Sequence, residues 1–288
     1  EVTWKLEVMA EWADPKGAVY KKDLIDQAVD RCKINGRYTT PEEIRQLLSY
    51  KQGQKALGVD WNQPQNGVRL VEIADVMGAP WVVRNETIAY AEFTQTNSVH
   101  RIMSLYRENN YDIITVDAGY GEFQIEMLVH DLVKLGKDPT KVLNVVDSGK
   151  KEETVIEYTS PLSRLRKRQK VVTRFKTKIV GLLAKYIECN LVLPHSEDVK
   201  HGLIHEIRNF RRKASNTEGG FIYTENSHSL SALQLCVHGY EKLKLQHGLQ
   251  TRAAENMAAP LDNFYSMIKQ VHKPTAKGPQ MAKSMWGK

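Results

Sequence analysis

The sequence predicts an α/β protein built around one mixed β-sheet with helices on both faces. Three observations carry that expectation. Residues 56–60, 68–74 and about 80–91 alternate or run apolar in the manner of strands, which suggests a consecutive antiparallel meander. The pattern then switches to helix, strand, helix, strand, and strands joined through helices in one sheet lie parallel by right-handed crossover. Two apolar runs, Ala56-Leu-Gly-Val-Asp60 and Ile113-Ile-Thr-Val-Asp117, each end in an acid. A buried strand end tolerates an acid when the carboxylate is paired or bound to a cation.

In chain order, residues 1–53 read as an N-terminal helical segment or linker ahead of the sheet. Trp4, Leu6, Val8, Met9 and Trp12 make a mixed apolar stretch, closed by a turn at Asp14-Pro-Lys-Gly17. Leu24, Ile25 and Val29 recur at helical spacing between Lys22 and Cys32. Thr40-Pro-Glu-Glu-Ile44 is a helix start, with Thr40 as cap, Pro41 in the first turn and acids where the helix dipole favours them. These helices are expected on the outside of the domain, or as a linker to something upstream.

Asn62-Gln-Pro-Gln-Asn-Gly67 joins the first two strands. A helix near 98–109 places Val99, Ile102, Met103 and Tyr106 on one face, and residues 112–117 form the strand that ends in Asp117. A helix near 122–135 is striped by Ile125, Leu128, Val129 and Leu132 and stops at Gly136. Val142 to Val146 is a further strand. Residues 148–170 are polar and basic, with Arg164, Arg166, Lys167, Arg168 and Lys170 crowded together. Helices near 171–188 and 198–212 flank a short strand, Leu191-Val-Leu193. Gly219-Gly-Phe-Ile-Tyr223 is extended, and a last helix starts near Ser227, carrying Leu230, Leu233, Val237 and Tyr240. The sheet domain is thus expected over 54–245, followed by a basic, partly flexible tail over 246–288 in which no acid follows Asp262.

At 288 residues the chain can bury a substantial core. A formal net charge of +7 and a pI near 9.1 favour an anionic partner such as nucleic acid. Cys32, Cys189 and Cys236 form no zinc pattern and no disulfide framework, so packing roles and a reducing, intracellular setting are expected. No apolar run reaches membrane-spanning length. The GxxxxGK[ST] phosphate loop is absent, so no ATPase is expected in this chain, and with no initial Met it reads as a C-terminal piece of a longer protein.

Asp60 and Asp117 carry the chemistry. Two carboxylates brought within about 4–5 Å repel unless a cation lies between them. Hard oxygen ligands suit Mg²⁺ or Mn²⁺. Two such ions about 3.5–4 Å apart activate a water and stabilise the leaving oxygen in phosphodiester cleavage. The structural alternative is that Asp60 caps a turn and Asp117 caps the helix starting near Gly121.

In their order and spacing these motifs resemble a known family. Gly58-Val-Asp-Trp61, the hairpin after it and Ile113-Ile-Thr-Val-Asp-Ala-Gly-Tyr-Gly121 look like the nuclease domain of the large terminase subunit of tailed viruses. So do Val192-Leu-Pro194 and Ser227-His-Ser-Leu-Ser-Ala-Leu233, and the resemblance covers roughly residues 10–245. It implies a ribonuclease H-like fold and a metal-dependent endonuclease that cuts concatemeric duplex DNA during packaging, with little sequence specificity and two Mg or Mn ions. It also implies the portal and the small terminase subunit as partners, no membrane, and work in the host cell cytoplasm without retention in the virion.

Carried over residue by residue, the resemblance makes Asp60 and Asp117 the first two metal ligands. At the third position the family has one or two acids just before the last helix, whereas this chain has Ser227 and His228, with Ser231 where another Asp is frequent. His228 is then the candidate catalytic and metal-ligating residue, through its imidazole, with Glu225 as a second candidate ligand from upstream. The other reading of His228 is a helix-start histidine bonded to a neighbour. Arg164, Arg166, Lys167, Arg168 and Lys170 are either a DNA-backbone contact, neutralising phosphates without reading sequence, or a solvated loop. Tyr120, close to Asp117, lines the groove or packs. Two rivals stand beside the nuclease reading. One is a catalytically weakened or inactive DNA-binding or motor-docking domain of the same fold; the other is a resolvase- or transposase-like nuclease.

Overall fold

The computed structural model describes residues 17–34, 36–49, 53–61, 67–76, 78–89, 94–119, 121–147, 149–159, 166–195, 202–213, 222–223 and 227–250. The apolar stretch expected before Gly17 and residues 251–288 of the tail expected over 246–288 lie outside them. The chain forms two units, Glu1–Ala254 and Glu255–Lys288, and all described residues belong to the first.

Chain order begins with α1 (Lys22–Asp30), a short hairpin of β1 (Lys33–Ile34) and β2 (Arg37–Tyr38), and α2 (Pro41–Ser49). Ile25, Ala28 and Val29 fall on one side of α1 and join the main core. A capping box starts α2. The Thr40 hydroxyl accepts from the Glu43 N–H at 3.2 Å, and the Glu43 carboxylate accepts from the Thr40 N–H at 2.8 Å.

The antiparallel meander is β3 (Lys55–Asp60), β4 (Val68–Val76) and β5 (Ala79–Ile88). Then α3 (Gln95–Asn109) leads into β6 (Ile113–Asp117), while α4 (Glu122–Lys134) and the one-turn α5 (Pro139–Val142) lead into β7 (Leu143–Val146). The strand order is β5-β4-β3-β6-β7, with β3 antiparallel to β4 and parallel to β6, and β6 parallel to β7. This is the mixed α/β sheet that the sequence predicts. The Leu191-Val-Leu193 segment contributes a single parallel bridge, Val192 to Trp81, beside β5.

Further on come the hairpin β8 (Lys151–Thr159) and β9 (Arg166–Arg174), α6 (Phe175–Cys189), α7 (Leu203–Asn209), the short pair β10 (Arg212–Lys213) and β11 (Ile222–Tyr223), and α8 (His228–Gln250). Among the described residues no helix is long and apolar enough to cross a membrane.

Strand periodicity assigns the two faces of the sheet. Ala56, Val71, Ile73, Val82 and Ile113 pack in one core with α1, α6, α7 and α8. Leu57, Val59, Leu70, Ile114 and Val116 alternate with that set and are fully buried on the opposite face. There α3 is tied to β5 through Arg101 and Glu86, and Trp61 lies against the start of α4.

Two departures from the sequence expectation have clear causes. The polar stretch at 148–170 contains a hairpin, because Thr154, Val155, Ile156 and Tyr158, then Val171, Val172 and Thr173, favour extended chain despite the charges between them. β9 runs through 171–174, so α6 begins only at Phe175. The helix expected to 212 ends at Asn209. Phe210 turns extended, with ψ 116°, because its buried ring is claimed by Tyr20 and Tyr223, at 5.8 and 5.1 Å between centroids.

Candidate functional site

Close packing of α8 across the sheet builds the site. Gly58 lets α8 touch β3: a Cβ there would sit 2.0 Å from the Ala232 carbonyl oxygen and 2.6 Å from the Cys236 nitrogen. The buried Cys236 thiol donates to the Ala56 carbonyl at 3.2 Å at the same crossing. Gly239 does the same over β6, where a Cβ would meet Thr115 Oγ1 at 2.2 Å. With the helix held this near, its first residue, His228, reaches the C-terminal end of β3, beside that of β6.

Those ends carry the two acids. β3 and β6 pair in parallel with Gly58 beside Thr115 and Val59 beside Val116, so Asp60 and Asp117 follow side by side at the strand ends. Both share the parity of Gly58 and Thr115, the face that α8 covers. Asp60 Oδ2 lies 3.3 Å from His228 Nδ1, with both side chains mostly buried, at 17% and 22% exposure. An ionised carboxylate only accepts, so Nδ1–H donates, and in the neutral ring Nε2 keeps the lone pair. Nε2 is buried without a hydrogen-bond partner among the described residues. Asp117 Oδ1 accepts from the Gly119 N–H at 3.3 Å, and Gly121 holds the cap position of α4.

Tight steric conditions fix the floor of the site. A Cβ on Gly121 would lie 2.1 Å from Trp61 Cδ1 and Nε1, so the chain after Asp117 passes over the indole only because residue 121 has no side chain. An open hollow at the starts of α3 and α4 is lined by Gln95, Gly119, Glu122, Phe123, Gln124 and Glu126.

Three charged residues at this end escape a reading of the sequence. Arg69 pairs with Asp60 in the β3–β4 register and therefore shares its face. Asp147 follows β7, whose Val146 is opposite Asp117, and its Oδ1 accepts from the Gly149 N–H at 2.9 Å. A signal for it exists: Val146-Asp-Ser-Gly149 repeats the Val116-Asp-Ala-Gly119 pattern. Glu206, from α7, accepts from the Leu230 N–H at 2.8 Å. Burial pushes its carboxyl above the ordinary value, while the Leu230 N–H, the Ser229 hydroxyl, Arg69 and His228 pull the other way without cancelling it. No local motif marks Glu206.

The structure thus brings Asp60, Asp117 and His228 to one end of the sheet. Tyr120, Glu225 and Arg164 lie outside the described residues. Arg166, Lys167, Arg168 and Lys170 fall in β9, in register with Thr159, Tyr158, Glu157 and Val155. Among the described residues no three His, Cys, Asp or Glu side chains converge as a ready set of metal ligands. Two carboxylates at neighbouring strand ends nonetheless suit a hard divalent ion such as Mg²⁺, which keeps several waters and takes one or two protein carboxylates.

No protein-family model and no curated protein matches the chain. Solved structures do. The chain is similar to the nuclease domain of the large terminase subunit gp2 of bacterial virus Sf6, with 16% identity and a TM-score of 0.47 over 77% of this chain and 98% of that one. It is similar to the large terminase nuclease of thermophilic phage G20c with bound magnesium, with 14% identity and a TM-score of 0.45 over 65% and 82%. The same phage's nuclease with bound cobalt is similar as well, with 14% identity and a TM-score of 0.42 over 65% and 81%.

Proposed function

We propose that this chain is a metal-dependent endonuclease that hydrolyses phosphodiester bonds in duplex DNA. The observation that carries the reading is the parallel register of β3 and β6, which sets Asp60 and Asp117 side by side on the face where His228 meets Asp60. Asp60 and Asp117 would hold Mg²⁺ or Mn²⁺, one ion or two, and the ion would supply Lewis acidity to the phosphodiester. Asp60 orients the His228 ring through Nδ1–H, leaving Nε2 to accept a proton or to ligate. Backbone-only contacts to DNA from Arg166, Lys167, Arg168 and Lys170 would make cutting nearly independent of sequence. The resemblance seen in the sequence supports a role in viral genome packaging, on concatemeric DNA, with the portal and small terminase subunit as partners in the host cytoplasm.

Supercoiled plasmid incubated with Mn²⁺ or Mg²⁺ tests the reading. The parent chain is expected to cut, and Asp117→Asn is not. A second reading is favoured by Ser227 and His228 standing where acids are usual: a DNA-binding or motor-docking domain with weakened catalysis. Binding at low salt without cutting by either protein selects that reading, and failure to bind both metal and DNA sinks both.

A further inference from the structure

Taking the nuclease reading of this site as its basis, we propose that Glu206 is a positioning residue, whose carboxylate ties the first turn of α8 to α7 and thereby sets His228 against Asp60. The first N–H groups of a helix lack intrahelical partners and carry its positive end. In α8 the Leu230 N–H, in the first turn, donates to Glu206 Oε2 at 2.8 Å, and the Ser229 hydroxyl bonds the same carboxylate. The capping role usually filled by a local side chain comes here from another helix.

α7 is itself fixed, since Leu203, Ile204 and Ile207 are buried in the core shared with α8. His228 is the first residue of the turn that Glu206 holds, so any rotation of that turn moves the ring relative to Asp60, now 3.3 Å away. The charges agree with this arrangement. Arg69 stands opposite Asp60 in register, and Arg69 and His228 both lie within electrostatic reach of Glu206. Asp60, His228, Glu206 and Arg69 thus gather around the start of α8.

Imidazole ¹⁵N NMR of the metal-free protein reads the His228 ring without DNA or turnover. Glu206→Ala is expected to move the His228 Nδ1 signal and to weaken Mn²⁺ binding by about 10- to 100-fold, the usual effect of losing an outer-shell partner. Glu206→Gln keeps an oxygen for the Leu230 N–H and is expected to retain the wild-type signal. Asp75→Ala serves as control: Asp75 accepts from the Tyr240 hydroxyl at 2.6 Å, so removing that acceptor loosens α8 away from its first turn and leaves the His228 signal in place.

A stationary His228 signal in Glu206→Ala overturns the proposal, as does a Glu206→Gln protein altered as much as Glu206→Ala. Should Glu206→Ala fail to fold, Ser229→Ala removes one of the two donors, and a stationary signal there is equally fatal. Plasmid cutting that survives Asp117→Asn would instead sink the nuclease reading and leave the Glu206 geometry standing.

Discussion

Two charged clusters occupy opposite faces of the same sheet. On the α3 face, Glu72 is 1% exposed and accepts from Tyr111 O–H at 2.8 Å and from Arg84 Nε at 3.0 Å. Arg84 continues to Glu86, which Arg101 grips with two bonds of 2.6 and 2.8 Å. On the α8 face, Asp60 meets an imidazole whose second nitrogen is buried and unpartnered among the described residues. The first cluster is closed: its carboxylates are matched by guanidinium groups. The second sits where strands end and a helix begins, with an imidazole lone pair still available. Buried charge by itself does not mark a functional site; incomplete pairing is what makes the second cluster the candidate.

The largest expected effect breaks the closed cluster. Glu72→Ala leaves Arg84 without its buried partner and should cost about 3–5 kcal/mol, read from the urea midpoint. Asp117→Asn should cost about 1 kcal/mol or less while abolishing plasmid cutting. If Asp117→Asn unfolds the protein as readily as Glu72→Ala does, the distinction between the two clusters collapses.

Next in size is Gly58→Ala. Its Cβ would fall 2.0 Å from a backbone oxygen of α8, so the helix must move, at an overpacking cost of about 1–3 kcal/mol. A lower Tm together with a shifted His228 NMR signal is expected. An unshifted signal would mean that the α8–β3 approach does not set the site.

Replacing Arg166 and Arg168 by Ala should leave folding unchanged and lower the slope of log affinity for duplex DNA against log salt by about 2, one phosphate contact each. An unchanged slope would reduce β9 to a solvated hairpin.

The smallest effect belongs to Glu86. Burial alone would raise its carboxyl, but the hydrogen bonds and charges of Arg101 and Arg84 outweigh burial and hold it below the ordinary 4.5. Its contribution to stability is therefore present above about pH 4.5 and is lost as the pH falls through the lower folded value. Unfolding midpoints below pH 4.5 should fall more steeply for the parent than for Glu86→Gln. Parallel curves would remove Glu86 from the acid response.

The sequence by itself determined most of the sheet. Apolar runs at β3, β4, β5, β6 and β7 and the stripes of α3 and α4 are local, periodic signals, and burial of one face enforces them. It also nominated Asp60 and Asp117, because an acid closing an apolar run conflicts with burial and asks for a reason. The hairpin of β8 and β9 was harder to read, since its charges mask the β-branched residues between them.

Only the tertiary structure decided which charges meet. The bond from Glu206 to Leu230 spans 24 positions and the contact of His228 with Asp60 spans 168. No local propensity encodes such separations. They follow from Gly58 and Gly239, whose missing side chains let α8 lie against the sheet and carry its first turn to the strand ends. A glycine in a strand or helix reads locally as a weakness; here it sets the distance across which the site forms.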